Sequence, residues 1–312
     1  MERFRSYSEY LTEIFSCPVR KISVDAGFTC PNRDGRISSG GCAFCNNDTF
    51  TTSFCDRRKS VSAQIEDGIS FHSARGRGAE KYLCYFQSYS NTYAPVSHLR
   101  ELYAEALSVP SVCGLVIATR PDCVDADILD CIASFARDRY VLLEFGIEST
   151  CDEALRLCGR GHGYSTSEKA VRMAAERGIR TGAHLIFGLP GESREMMLDG
   201  VSRIGSLPLE TVKFHQLQIV RGSRYESAYR ERPEDFDLFT LDDYIDFSAE
   251  AVRRLNPSFV LERFVNEVPP RYLVAPQWGR MKGDALRSML DRKLEEKCAV
   301  QGDLFNFGTQ VE

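Results

Sequence analysis

The sequence predicts an α/β protein whose parallel sheet, covered by helices, winds into a partial (β/α)6 TIM-like barrel with a C-terminal α/β extension. Three observations lead there. Between about residues 19 and 220, short apolar, β-branched runs alternate with segments of helical period. The runs are nearly continuous in apolar character, as in strands buried on both faces. Right-handed crossovers wind such units flat or round, and six of them fall short of the eight that close a barrel.

Val19–Val24 is the first strand, followed by a long loop rich in Gly, Cys and Asn to about Phe54 and a helix over 59–74. Lys81–Phe86 is the second, and the helix after it aligns Leu99, Leu102, Tyr103, Ala106 and Leu107 in one apolar stripe. Residues 114–118 are the third, and the next helix repeats the stripe with Ile128, Leu129, Ile132, Phe135 and Ala136. The fourth strand covers 140–147. Two short helices then flank a glycine loop at 159–163, the second running 165–177 and stopping at Gly178. Arg180–Phe187 is the fifth strand, turned at 188–191 into a helix with Ser193 as its cap and Glu192 and Glu195 at its start. Residues 211–219 are the sixth.

After Gly222 the pattern becomes charged helices at 224–231, 241–254 and about 283–298, with a short apolar strand at Phe259, Val260 and Leu261. The organisation expected is a lead-in over 1–18, a core barrel over 19–222 and an extension over 223–312, whose aliphatic content is too thin for a core of its own. The tail carries two aromatics, Phe305 and Phe307, expected to be exposed. The 312 residues are 43% hydrophobic and 27% charged, the balance of an ordinary globule and not of a disordered chain. No apolar run exceeds the five residues Tyr82 to Phe86, so no span of a bilayer is expected. The amino terminus lacks the shape of a signal peptide, and a cytoplasmic, reducing location follows. A net charge of −5 gives no global argument for nucleic acid. The basic groups Arg57-Arg58-Lys59 and Arg75, Arg77, Lys81 read as solvated faces.

Most of the 12 cysteines are scattered through apolar stretches as small buried hydrophobes, Cys123 and Cys151 included. Cys30, Cys42 and Cys45 are different. They stand as C-x11-C-x2-C in the loop after the first strand, and the C-x2-C pair sets two thiolates on one turn. Soft thiolates select zinc or an iron–sulfur cluster. With Cys55 the set would make a closed four-thiolate zinc site; without it, a four-iron cluster keeps one iron open. Spacing alone leaves both readings standing. The other polar residues favour the second, because reacting groups of a parallel barrel gather at the C-terminal strand ends. Here those ends carry Gln87, Ser88 and Tyr89, then Thr119 and Arg120, then Glu148 and Ser149. His184 lies in the fifth strand, and His215, Gln216 and Gln218 in the sixth. Such a convergence on the cysteine loop describes a site for a polar ligand.

Residues 30–46, 85–95, 114–122 and 144–149, Arg160-Gly161-His162, and 184–192 together resemble the radical S-adenosylmethionine (SAM) proteins of the YtqA/YhcC family. The middle section is also similar to the radical SAM cores of the elongator catalytic subunit and of oxygen-independent coproporphyrinogen dehydrogenase. The resemblance implies a [4Fe–4S] cluster on Cys30, Cys42 and Cys45, with SAM on its fourth iron. It places Phe44 against the adenine. Gln87, Ser88 and Tyr89 stand where the wider superfamily has a glycine-rich stretch at the SAM amino group. Thr119 and Arg120 close the third strand beside them, and Glu148, Arg160 and His184 fall at the ribose and carboxylate contacts. It implies a one-electron donor such as a flavodoxin or ferredoxin, and a 5′-deoxyadenosyl radical acting on a substrate that the sequence does not name. No second cysteine cluster follows for an auxiliary centre. Two other readings remain: an enzyme modifying an RNA base, which the acidic charge does not support, and a zinc-stabilised α/β binding protein without a reaction.

Overall fold

The computed structural model describes residues 3–49, 51–279 and 281–306. The chain opens with α1 (Tyr7–Phe15) and β1 (Val19–Val24), then runs α2 (Val61–Ser73), β2 (Lys81–Phe86), α3 (Val96–Ser108) and β3 (Val112–Thr119). Next come α4 (Ala126–Ala136), β4 (Tyr140–Glu148), α5 (Asp152–Leu157), α6 (Tyr164–Ala175) and β5 (Arg180–Phe187). There follow α7 (Arg194–Ile204), β6 (Thr211–Gln216), β7 (Ile219–Val220), α8 (Arg224–Glu231) and α9 (Leu241–Arg254). The last elements are β8 (Val260–Arg263), β9 (Leu273–Ala275) and α10 (Gly283–Glu296). Local chemistry sets the helix starts: Ser60, Asp125, Ser193 and Thr240 each accept a bond from a backbone N–H of the first turn they cap.

Seven strands pair in parallel in the order β1-β2-β3-β4-β5-β6-β8. The sheet is rolled. Laid flat it would be roughly 29 Å wide at the usual strand spacing, yet the nine-residue α1 packs against both edge strands. Lys21 on β1 and Glu262 on β8 also meet across the gap at 2.6 Å. The seventh strand comes from beyond residue 222, so the C-terminal segment completes the sheet of the barrel. The sixth strand is shorter than its apolar run suggests. β8 ends at Arg263, opposite Lys213, so the chain beyond Gln216 lacks a ladder partner on that side. It leaves the sheet, and Ile219 and Val220 pair antiparallel with β9 instead.

The main core lies between the outer sheet face and the helices, with Phe86, Tyr103, Phe145, Phe214 and Phe259 fully buried in it. A second cluster fills the base of the barrel, where Tyr10 and Leu11 of α1 meet Leu83, Tyr140, Leu142 and Val260. That base plug was not legible in the sequence, where residues 1–18 carried no element. The tail also docks: Leu304 N bonds Arg253 O at 2.9 Å, and Phe305 is half-buried, while Phe307 lies outside the described residues.

Strand packing is tight at Gly114, which faces Tyr140 of β4. A Cβ there would strike the Tyr140 carbonyl oxygen and come within 2.8 Å of Tyr140 Cβ. Gly114→Val is expected to destabilise the protein by about 1–3 kcal/mol, the scale of overpacking. A lowered urea midpoint with an unchanged slope would show it; an unchanged midpoint would contradict it.

Candidate functional site

The loop after β1 is tied down at both ends. Gln64 of α2, fully buried, accepts from Asp25 N at 2.9 Å and donates to Asp25 O at 3.0 Å. Asn32, also fully buried, donates to Gly159 O at 2.8 Å, and Ala43 N bonds Cys158 O at 2.8 Å. The loop thus folds back on the turn that carries Arg160. Within it, Arg33 N bonds Cys30 O and Cys45 N bonds Cys42 O, the tight turns that bring the three thiols onto one wall.

Five N–H donors point at two of these sulfurs. Asn32 Nδ2 lies 3.3 Å, Arg160 Nη1 3.5 Å and Arg120 Nη1 3.7 Å from Cys42 Sγ. Arg33 Nη2 lies 3.5 Å and Asn47 Nδ2 3.7 Å from Cys45 Sγ. Such donors favour thiolate and raise the potential of a cluster bound to it. Burial, with Cys42 beside it, pushes the Cys45 thiol up to about 11 against the pull of Arg33. A metal taken up near neutral pH must therefore displace its proton.

The donor set fits a cluster better than one ion. A tetrahedral zinc with Zn–S bonds near 2.3 Å needs sulfurs about 4 Å apart, and no three His, Cys, Asp or Glu among the described residues are grouped to hold a single metal ion. A cuboidal cluster presents its irons at separate corners and takes thiolates set wider apart. Cys55 is turned away, its Sγ 2.9 Å from Thr52 Oγ1 and 3.1 Å from Ser23 O.

The strand ends complete the wall of a cavity of about 210 Å3. Gln87 accepts from Ser23 Oγ at 3.0 Å, and Tyr89 N donates to Asn47 Oδ1 at 3.2 Å. Thr119 Oγ1 meets Thr92 Oγ1 at 2.6 Å. Arg120 forks onto Asp122 at 2.8 and 2.7 Å and donates to Arg160 O at 2.7 Å, so it braces the Arg160 turn. Burial would push Asp122 up, but the Arg120 fork holds it below its ordinary value.

At β4 the ladder skips a residue between Gly146 and Glu148. The irregularity swings Glu148 inward, to 3.7 Å from Arg160 Nη2. Gly146 makes room for that pair, because a Cβ would stand 2.5 Å from Glu148 Oε1 and 2.8 Å from Arg160 Nη2. Tyr89 and Glu148 both have left-handed backbone, φ 66° and 67°. Side chains larger than glycine adopt it at a cost of order 1–3 kcal/mol.

Below the strand ends lies a layer of charge. Glu144, fully buried, holds Lys21 Nζ at 2.9 Å and Lys213 Nζ at 2.6 Å. Glu262 holds the same two lysines at 2.6 and 2.9 Å. His184 Nε2 stands 3.2 Å from Glu144 Oε2, and burial pushes its pKa down to about 4, so the ring is neutral at pH 7.

Of the residues expected at the site, Cys30, Cys42, Cys45, Phe44, Gln87, Tyr89, Thr119, Arg120, Glu148, Arg160 and His184 line this cavity. Ser88 is buried outside its wall, as is Cys123, and Cys151 is also outside it. The sequence reading missed Lys21, Tyr85, Glu144, Lys213, Glu262 and Arg263. A signal existed: a charged residue at mid-strand in an apolar parallel strand, as in Tyr140–Glu148, has nowhere to go but the barrel interior.

An open parallel barrel with a three-cysteine loop over its mouth defines a class, the radical SAM enzymes. Residues 32–203 match the radical SAM superfamily and 209–296 the radical SAM C-terminal domain. The chain belongs to this superfamily. It is 30% identical to YtqA of Bacillus subtilis (strain 168) over 97% of this chain and 93% of that protein. To YhcC of Escherichia coli (strain K12) it is 33% identical over 94% of this chain and 92% of that one. Among solved structures, Elp3 of Methanocaldococcus infernus shares the fold with a TM-score of 0.69 at 17% identity, over 91% of this chain and 64% of that one. Membership implies a [4Fe–4S] cluster, SAM and an electron donor, and among the described residues no helix is long and apolar enough to cross a membrane.

Proposed function

We propose that Cys30, Cys42 and Cys45 hold the [4Fe–4S] cluster and that SAM lies in the cavity below it, with Arg160 answering its carboxylate. When bound, the pair supplies reductive cleavage of SAM to a 5′-deoxyadenosyl radical. The observation that carries this reading is Arg160. It is 5% exposed, bonds Cys42 Sγ and Gly146 O, and keeps a buried Nε without a partner at the cavity wall. A planar guanidinium with a donor left over suits a carboxylate.

Glu148 faces the same space and is the acceptor for ribose hydroxyls. Phe44 lies one residue before Cys45 and offers its ring to the adenine. Gln87, Tyr89 and Thr119 supply the polar wall around the amino group, and the left-handed backbone of Tyr89 and Glu148 supports a functional reason for both. Arg120 positions Cys42 and Arg160. Ser88 acts through the backbone geometry of its turn. His184 belongs with the charged layer through Glu144. The rolled sheet and the α1 plug keep water from the barrel base, which protects a radical from quenching. A small acidic one-electron carrier such as a flavodoxin or ferredoxin would reduce the cluster.

Arg160→Ala is expected to weaken SAM binding by about 1.5–3 kcal/mol, the scale of hydrogen bonds to charged groups. That is roughly a ten- to hundredfold rise in dissociation constant. Calorimetric titration of SAM into reconstituted wild type and variant tests it, with equal cluster absorbance as the control. Equal affinities would remove Arg160 from the SAM site.

A further inference from the structure

Most charged groups in the cavity wall and in the layer behind it have an opposite partner. Lys21 and Lys213 are matched by Glu144 and Glu262, Arg120 by Asp122, and Arg160 by Glu148. Arg33 reaches Cys45. Arg263 is the exception. It is half-buried at the end of β8, lines the cavity, and makes no hydrogen bond or ion pair among the described residues; its Nε is shielded from water without an acceptor.

The backbone explains why it is there. The β6–β8 register steps from Leu261 to Arg263 between Val212 and Lys213, an irregularity that turns both Glu262 and Arg263 toward the interior. Glu262 is used by the two lysines, and Arg263 is left over. Beside it is His215, 9% exposed, with a buried Nδ1 that has no partner. Burial first, then Arg263, His184 and Lys213 nearby, hold the His215 ring well below its ordinary pKa, so it is neutral and adds no charge. Its ring stands 5.8 Å from that of His184, and Asn266 continues the wall. An uncompensated guanidinium next to an unsatisfied neutral imidazole costs free energy unless a ligand completes them.

Resting on the reading that SAM occupies the cysteine end, we propose that the inner end of the cavity is a carboxylate subsite for the substrate, with Arg263 as its cation and His215 as its hydrogen-bonding partner. One planar guanidinium matches one carboxylate bidentately, and with the lysines and glutamates balanced two on two and Arg33 away at the cysteine end, Arg263 is the positive charge to be met at this end. The substrate class is therefore a small carboxylic acid. A phosphate-bearing compound or an RNA would need more cations than the interior offers.

Protection of Arg263 from phenylglyoxal tests this, with reconstituted, SAM-loaded protein and peptide mapping of the modified arginines. Acetate is the probe, acetamide its neutral isostere, and sodium chloride the ionic-strength control. Acetate should slow modification of Arg263 by about threefold when present at about twice its dissociation constant, while acetamide and chloride leave the rate unchanged. Equal rates in acetate and chloride overturn the proposal. So does an Arg263 that never reacts, since protein groups would then already hold it. Stronger protection by inorganic phosphate or by an oligouridylate than by acetate also overturns it, in favour of a phosphate ester or an RNA respectively. Formation of 5′-deoxyadenosine in the same sample reports separately on the SAM reading, which can fail while Arg263 protection persists.

Discussion

Glu144→Gln is expected to lower the stability of the fold by about 3–5 kcal/mol, the scale for removing one partner from a buried ion pair. The substitution keeps shape and volume, so packing is not what changes. It leaves Lys213, fully buried, and Lys21, half-buried, to share Glu262 alone across a neutral amide. Glu144 also carries a pH signature. Burial would push its carboxyl up, but Lys21, Lys213 and His184 overcome that and hold it well below the ordinary carboxylate range. An unfolded glutamate titrates near 4.3. Stability from a carboxyl held down in the fold is fully present above that value and is lost as pH falls through the folded one. Wild type should therefore weaken on the acid side of about pH 4.5, and Glu144→Gln should lack that part of the slope. Urea midpoints at pH 7 and along an acid series measure both. A variant within about 1 kcal/mol of wild type at pH 7 would mean the network is not a structural floor.

Cys42→Ser is expected to abolish the visible chromophore and the formation of 5′-deoxyadenosine together. Cys42 is buried and receives three of the five N–H donors around the sulfurs, so it is the most enclosed of the thiols. A serine oxygen there is a hard donor in a site built for soft ones. Cys55→Ser is the matched control. Its sulfur bonds Thr52 and Ser23 and lies outside the cavity wall, so spectrum and turnover should survive. Loss of the chromophore in Cys55→Ser with its retention in Cys42→Ser would invert the ligand assignment.

The sequence carried the cysteine loop and most of the mouth because both use local signals. C-x2-C spacing, glycine-rich turns and polar residues at strand ends can be read one segment at a time. The interior was harder. Lys21, Glu144, Lys213 and Glu262 belong to four different strands, and their pairing follows from how far the sheet rolls. Arg263 depends on a register irregularity that no periodicity announces. The α1 plug escaped for a related reason: nine residues are marginal as an isolated helix, and what stabilises them is contact with β1 and β8, far apart in the sequence. Ser88 lies outside the cavity wall, since a polar residue in a run of polar residues need not face the cavity beside it.

A cluster held by three thiolates and open to SAM has a directly measurable product. The direct test is 5′-deoxyadenosine release when dithionite and SAM are added to anaerobically reconstituted protein. Slow release is expected without added substrate, from protein carrying about four irons per chain. Stoichiometric zinc that survives reconstitution, with no 5′-deoxyadenosine formed, would contradict it.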